Sequence, residues 1–277
     1  MAAAFFDLDK TVIAKASTLA FGRSLYRAGL ISRRTVLRAA YAQAIYLHLG
    51  ASEERLAKLR ESALKLTRGW ERDRVRAVVQ ETLHEVVRPI VYAEALRLIT
   101  EHREAGRPVV IVSASPEEIV EPLRQEFGAD DIIATRPVVD ADGRYTGEMG
   151  FYAYGTFKVE AMRAYAAERG IDLAQSYAYS DSYTDAPMLE AVGHPVAVNP
   201  DRVLLRMARE HDWPVLEFEK PVRVREPGSG PDHGHGHGPE IAAAGAAAAG
   251  AMVAVLSWQL GRRSRRLVSS RGASAPR

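Results

Sequence analysis

Phe6-Asp7-Leu8-Asp9-Lys10-Thr11 sets two carboxylates one residue apart, directly after the apolar run Ala2-Ala3-Ala4-Phe5-Phe6. Such a run reads as a buried strand of a parallel sheet. Ligands and catalytic groups of open α/β sheets collect at the carboxyl ends of strands, so Asp7 is expected at that end. Leu8 turns away, and Asp9 returns to the same side as the chain leaves the strand. A carboxylate is ionised at neutral pH and can attack phosphorus without help from a base. A second carboxylate can trade a proton with the leaving oxygen. A hard cation such as Mg²⁺ would hold these mutually repelling charges together.

Three later stretches have matching chemistry. Val109 to Val112 is a β-branched run that Ser113 closes, and Ser115-Pro116-Glu117-Glu118 reads as a helix start with Ser115 at the cap and Pro116 at the first helical position. A hydroxyl and free backbone N–H groups at that strand end suit a phosphate oxygen. Gly155-Thr156 reads as a helix cap, which puts Lys158 in a first turn, where a cation opposes the helix dipole. In Tyr177-Ala178-Tyr179-Ser180-Asp181-Ser182-Tyr183-Thr184-Asp185-Ala186-Pro187 a short strand ends at Ser180, and a helix begins near Asp185. Each stretch alone also fits an ordinary strand-to-helix turn or helix cap.

Together and in this order they resemble the motifs of the haloacid dehalogenase superfamily, whose members are mostly phosphatases. The resemblance implies roles for individual residues. Asp7 is the nucleophile, and Asp9 the general acid and base. Ser113 and Lys158 bind the phosphoryl group. Asp7, Asp181 and the backbone carbonyl of Asp9 are the Mg²⁺ ligands, with Thr11 and Asp185 in support.

Residues 15–88, between the first motif and the Ser113 strand, read mostly as helices. Ser17 to Ala28 has Leu19, Ala20 and Leu25 on one face. Further helical spacing runs from Ser32 through Leu47, from Glu53 to Leu66 and from Trp70 to Val87. An insertion here resembles the helical-bundle cap of the phosphoserine-phosphatase-like subfamily. In phosphoserine phosphatases a glutamate nine residues after the nucleophile reads the substrate's amino group. Here that position is Ala16, which would leave an ammonium group unpaired. Phosphoserine is therefore not the expected substrate.

The remainder, residues 1–14 and 89–218, alternates strands and helices as a doubly wound, Rossmann-like α/β core does. It includes a hairpin around Asp140-Ala141-Asp142-Gly143. With 277 residues and a formal net charge of +2, the chain has room for one sizeable α/β domain plus an insertion, and nothing in its charge calls for nucleic acid as a partner. There is no cysteine, which excludes disulfides, zinc thiolates and a cysteine nucleophile.

Residues 219–240, rich in Pro and Gly, read as a flexible linker, in which His233-Gly234-His235-Gly236-His237 has no fixed metal geometry. Residues 241–261 are uncharged and Ala-rich, and about twenty residues suffice to span a bilayer. A transmembrane helix and an alanine-rich helix lying on a surface are both compatible with that composition. Residues 262–277 form a basic tail with Arg262, Arg263, Arg265 and Arg266. The chain enters its core strand at once, so the catalytic domain is expected in the cytoplasm, anchored to the membrane by 241–261.

The expected function is Mg²⁺-dependent hydrolysis of a phosphomonoester, either a small metabolite or a lipid phosphate, through an aspartyl-phosphate. Phosphoryl transfer to another alcohol uses the same residues and is an alternative. A membrane-tethered binding protein without catalysis is a third reading, at odds with the complete set of reactive residues.

Overall fold

The structure is a computed structural model that describes residues 1–32 and 64–219. In chain order its elements are β1 (Ala4–Asp7), α1 (Ser17–Ala20), α2 (Gly22–Arg27), α3 (Arg72–Val87), α4 (Ala93–Glu104), β2 (Val109–Pro116), α5 (Glu117–Phe127), β3 (Asp131–Val139), β4 (Tyr145–Phe151), α6 (Thr156–Arg169), β5 (Tyr177–Ser180), α7 (Ala186–Glu190), β6 (His194–Val198), α8 (Arg202–Glu210) and β7 (Val215–Leu216). Short 3-10 turns precede β5 and α7.

The strands make one seven-stranded sheet in the order β4-β3-β2-β1-β5-β6-β7. All neighbours are parallel except the β3–β4 hairpin, which is antiparallel as its Asp-Gly turn predicts. The chain leaves β1 toward β2 on one side and later returns to β5 on the other. The carboxyl end of β1 is therefore the point where strand order reverses, the usual ligand site in such sheets. Asp7 pairs in register with Val112, and Phe6 with Tyr179, so Asp7, Ser113 and Ser180 lie at neighbouring positions on three adjacent strands.

Period-two alternation explains the two-sided core. Ala4 and Phe6 of β1 point to one face, where they join Val109 and Ile111 of β2, Ile99 of α4 and Leu123 of α5. Phe5 points to the other face, with Val110, Val112, Met162 of α6 and Leu204 of α8. Burying a side chain of this size contributes about 1.5–3 kcal/mol each.

The insertion differs from expectation in detail. The helix expected over Ser17 to Ala28 is broken at Phe21, which ends α1 and precedes α2. Phe21 is fully buried, in the main core cluster. Gly22, a weak helix former, follows at the break. The helix expected from Trp70 begins at Arg72 and buries Val75, Val78, Val79, Leu83 and Val87. A helical turn covers residues 64–67. The helix expected from Ser32 and most of the one from Glu53 lie outside the described residues, as do the linker from residue 220, the 241–261 stretch and the basic tail. Among the described residues no helix is long and apolar enough to cross a membrane.

A second difference lies after Ser113. Strand β2 continues to Pro116, with its pairing to β3 shifting register between Ser113 and Pro116. Helix α5 begins at Glu117 with Pro116 at the N-cap, and no side chain caps it. Ser115 is thus not a helix cap; its hydroxyl is engaged elsewhere.

Candidate active site

The reversal point of the sheet gathers the predicted residues from β1, β2 and β5 and from the starts of α6 and α7. Asp7 ends β1 and is nearly enclosed. Lys158 reaches it from the first turn of α6, with Nζ donating to Asp7 Oδ1 at 2.6 Å and to Asp185 Oδ2 at 2.8 Å. Gly155 precedes α6 with φ of 56°, a left-handed value that glycine adopts without strain. This turn aims Lys158 inward despite the unfavourable helix dipole. Ser180 Oγ, at the end of β5, also donates to Asp185 Oδ2, at 2.8 Å. Ser113 is buried, and its Oγ accepts the Ser115 backbone N–H at 3.1 Å, which leaves the hydroxyl hydrogen free to donate. Thr11 is fully buried, and its Oγ1 has no hydrogen-bond partner.

Asp9 is half-buried and held on both oxygens. The Ser17 N–H donates to Oδ1 at 2.7 Å and the Ser115 hydroxyl to Oδ2 at 3.2 Å. The sequence pattern gives Ser115 only a capping role and Ser17 no role at the site. The separation of Ser17 and Ser115 along the chain hides their contact, and Ser115-Pro116 imitates a helix start. A further residue not anticipated is Lys10. It takes φ of 66°, unusual for a side chain with a Cβ, and its Nζ lies 4.0 Å from Asp181 Oδ2.

The electrostatics reveal a deficit of positive charge. The site holds four carboxylates, Asp7, Asp9, Asp181 and Asp185, and one buried ammonium, which among the described residues pairs only with Asp7 and Asp185. Burial pushes the Asp7 carboxyl up to about 7; Lys158 opposes this, while Asp185 and Asp9 add to it. Burial, with Asp7 nearby, holds Asp181 well above the ordinary carboxylate range. Burial likewise raises Asp9 against its hydrogen bonds from Ser17 and Ser115. For Lys158 burial disfavours the charged form, yet Asp185 and Asp7 override it and keep the ammonium protonated.

These oxygens fit a hard divalent cation. Asp181 has, among the described residues, only the distant, half-exposed Lys10 as a charge partner. Among the described residues no three His, Cys, Asp or Glu side chains form a metal cluster. Mg²⁺ does not need one, since it is held by one or two carboxylates and keeps several waters.

The haloacid dehalogenase-like hydrolase family profile matches residues 4–190. The chain is 55% identical over 224 residues to the inhibition of morphological differentiation protein of Streptomyces azureus, covering 81% of each. It is 52% identical over 224 residues to a probable phosphatase of Mycobacterium tuberculosis, covering 81% of this chain and 78% of that one. More distant are a phosphoserine phosphatase of M. tuberculosis, 34% identical over 82% of this chain and 75% of that one, and a histidinol-phosphatase of Neisseria meningitidis, 32% identical over 78% and 98%. Among solved structures, a protein of unknown function from Bordetella pertussis aligns with a TM-score of 0.67 and 31% identity, over 77% of this chain and 97% of that one. With the expected residues meeting at the end of β1, these likenesses make the chain a member of the haloacid dehalogenase-like hydrolase family, and by enzyme class a phosphatase.

Proposed function

We propose that the protein hydrolyses small phosphomonoesters through an aspartyl-phosphate, an acyl phosphate formed on Asp7. The observation that carries this reading is the enclosed Lys158–Asp7 ion pair beside Ser113. Lys158 and the Ser113 hydroxyl bind the phosphoryl oxygens, so that phosphorus faces the Asp7 carboxylate. Asp7 attacks, the bond from phosphorus to the ester oxygen breaks, and Asp9 gives that oxygen its proton. Asp9 then takes a proton from a water whose oxygen attacks phosphorus. The bond to Asp7 breaks, releasing inorganic phosphate and regenerating both carboxyl groups. Asp7, Asp181 and the Asp9 carbonyl would hold Mg²⁺, which when bound offsets the gathered negative charge as the transfer proceeds. Asp185, fixed by Ser180, keeps Lys158 on Asp7.

The relatives support a small substrate without identifying it. Their printed names include phosphoserine phosphatase and histidinol-phosphatase at nearly equal identity to this chain. Ala16, buried at the start of α1, offers no charge to an amino group. Phosphoserine is therefore expected to be a poor substrate relative to phosphomonoesters that lack an amino group.

The test is release of phosphate from a panel of phosphomonoesters, soluble and vesicle-borne, with Mg²⁺ or with a chelator. Mg²⁺-dependent turnover of small soluble esters is expected. Absence of turnover across the panel with Mg²⁺ present contradicts the reading. Phosphate yield below alcohol yield when a second alcohol is added would assign phosphotransfer instead of hydrolysis.

A further inference from the structure

Ser17, Ser115 and Asp9 form a closed ring of hydrogen bonds. Besides the two bonds to Asp9, the Ser17 and Ser115 hydroxyls are 2.7 Å apart. Ser17 is fully buried and Ser115 nearly so. Either hydroxyl can be the donor in that contact, because both serine side chains hydrogen-bond to the Asp9 carboxylate. The Ser115 N–H goes to Ser113 Oγ. The two hydroxyls and the carboxylate are thus joined whichever serine donates to the other.

The ring joins parts of the fold that are far apart in sequence. Ser17 is the first residue of α1, where the insertion begins, and Ser115 lies near the end of β2. A carboxylate held on one oxygen can rotate about its terminal torsion, whereas one held on both cannot. Hydrogen bonds to an ionised acceptor are also stronger than neutral ones.

We propose that Ser17 and Ser115 are positioning residues that fix the Asp9 carboxyl at the angle from which it protonates the leaving oxygen, and that Ser17 ties this alignment to the seating of the insertion. The proposal rests on the reading of Asp9 as the general acid. Through Ser115 the same network reaches Ser113, so the phosphate-binding hydroxyl and the acid are set relative to each other.

A ring that merely stabilises the fold predicts something different. Misalignment of an acid hurts esters whose leaving oxygen needs a proton and spares those that leave unaided. The experiment compares kcat/KM for p-nitrophenyl phosphate and for a simple alkyl phosphate in the wild type, S115A, S17A and the double variant, with D9N as reference and thermal melting as the check on folding. In S115A the preference for the aryl ester is expected to rise about ten-fold, a fraction of the acid's full contribution. S17A keeps its backbone bond to Asp9, so a smaller rise in the same sense is expected. The double variant should show less than the product of the two single effects, because the serines act in one chain. Equal losses on both esters in folded S115A and S17A, or no loss in either, overturn the proposal. D9N separates this from the parent reading. A selective alkyl loss in D9N with none in the serine variants refutes the serines alone. Equal losses on both esters in D9N remove Asp9 as the acid, and the proposal with it.

Discussion

Lys158 and Asp185 meet 2.8 Å apart with both side chains almost sealed from solvent. Asp7 lies on the other side of the same ammonium at 2.6 Å. The lysine is the single buried cation among the described residues of the site, and two carboxylates depend on it. Lys158→Met is therefore expected to leave two facing buried charges unpaired. Loss of one buried partner costs about 3–5 kcal/mol. Loss of a donor preorganised toward a developing charge costs about a hundred- to a thousand-fold in kcat. Thermal melting and steady-state rates at neutral pH check both effects. A variant that melts with the wild type and turns over at a comparable rate would contradict this role.

His102 gives the fold an acid sensitivity separate from catalysis. It is buried in α4, with Nδ1 accepting from Arg107 at 2.7 Å and Nε2 facing the Tyr179 hydroxyl at 2.8 Å. Burial, and then the Arg107 charge, lower its pKa from 6.5 to about 4. Between these values the unfolded chain binds a proton that the folded one refuses. Stability thus rises with pH through this window and is lost as pH falls below about 6.5. The shift corresponds to about 3 kcal/mol at most. Denaturant melts of the wild type and His102→Gln from pH 4 to 7 should differ in slope, with the variant flatter. Parallel curves would contradict it.

Gly193 is expected to be intolerant for a purely steric reason. A Cβ there would lie 1.7 Å from the Ala174 carbonyl oxygen and 2.6 Å from its carbon, and backbone cannot swing aside as a side chain can. Its own N–H is bonded to Leu173 O. Gly193→Ala should cost about 1–3 kcal/mol or more, in the range of overpacked cores. The site lies at the other end of β5 and β6, so kcat of the folded fraction should persist. An unchanged melting temperature would refute the steric argument.

Ala16 leads to an expectation about substrate. Phosphoserine should have a lower kcat/KM than comparable phosphomonoesters without an amino group, by roughly ten-fold or more, as for an unpaired polar group in a closed site. A side-by-side assay of phosphoserine and phosphoglycolate-type esters decides this. Phosphoserine as the best substrate of a broad panel would overturn it.

The reactive residues are legible because each sits near a change from apolar to polar residues, at the end of an apolar strand run or at the start of a helix. Asp7 and Asp181 fall at strand ends, Lys158 and Asp185 at helix starts, and Ser113 follows the apolar run of β2. The doubly wound α/β class follows from the alternation of strands and helices, whereas the strand order is set by tertiary pairing. What pairing across the site adds could not be read this way. Ser115-Pro116 satisfies the local pattern of a helix start, yet its hydroxyl turns to Asp9, 106 residues away in sequence. A hydroxyl's choice between a local backbone bond and a distant carboxylate depends on tertiary placement. Lys10 was passed over for a related reason, since its positive φ is a property of the folded loop. The break at Phe21 follows from burying a large ring in the core, which periodicity alone does not foresee.

The most direct test of the account is the identity of the phosphorylated atom. Asp9→Asn should slow cleavage of the phosphoenzyme more than its formation from p-nitrophenyl phosphate, whose leaving group needs little protonation. Rapid acid quench followed by peptide mass spectrometry should then find phosphate on the peptide containing Asp7, at a yield matching a burst of p-nitrophenolate. Asp7→Asn should give neither burst nor adduct. An adduct on any other residue, or turnover in folded Asp7→Asn at the wild-type rate, would contradict the claim that Asp7 is the nucleophile.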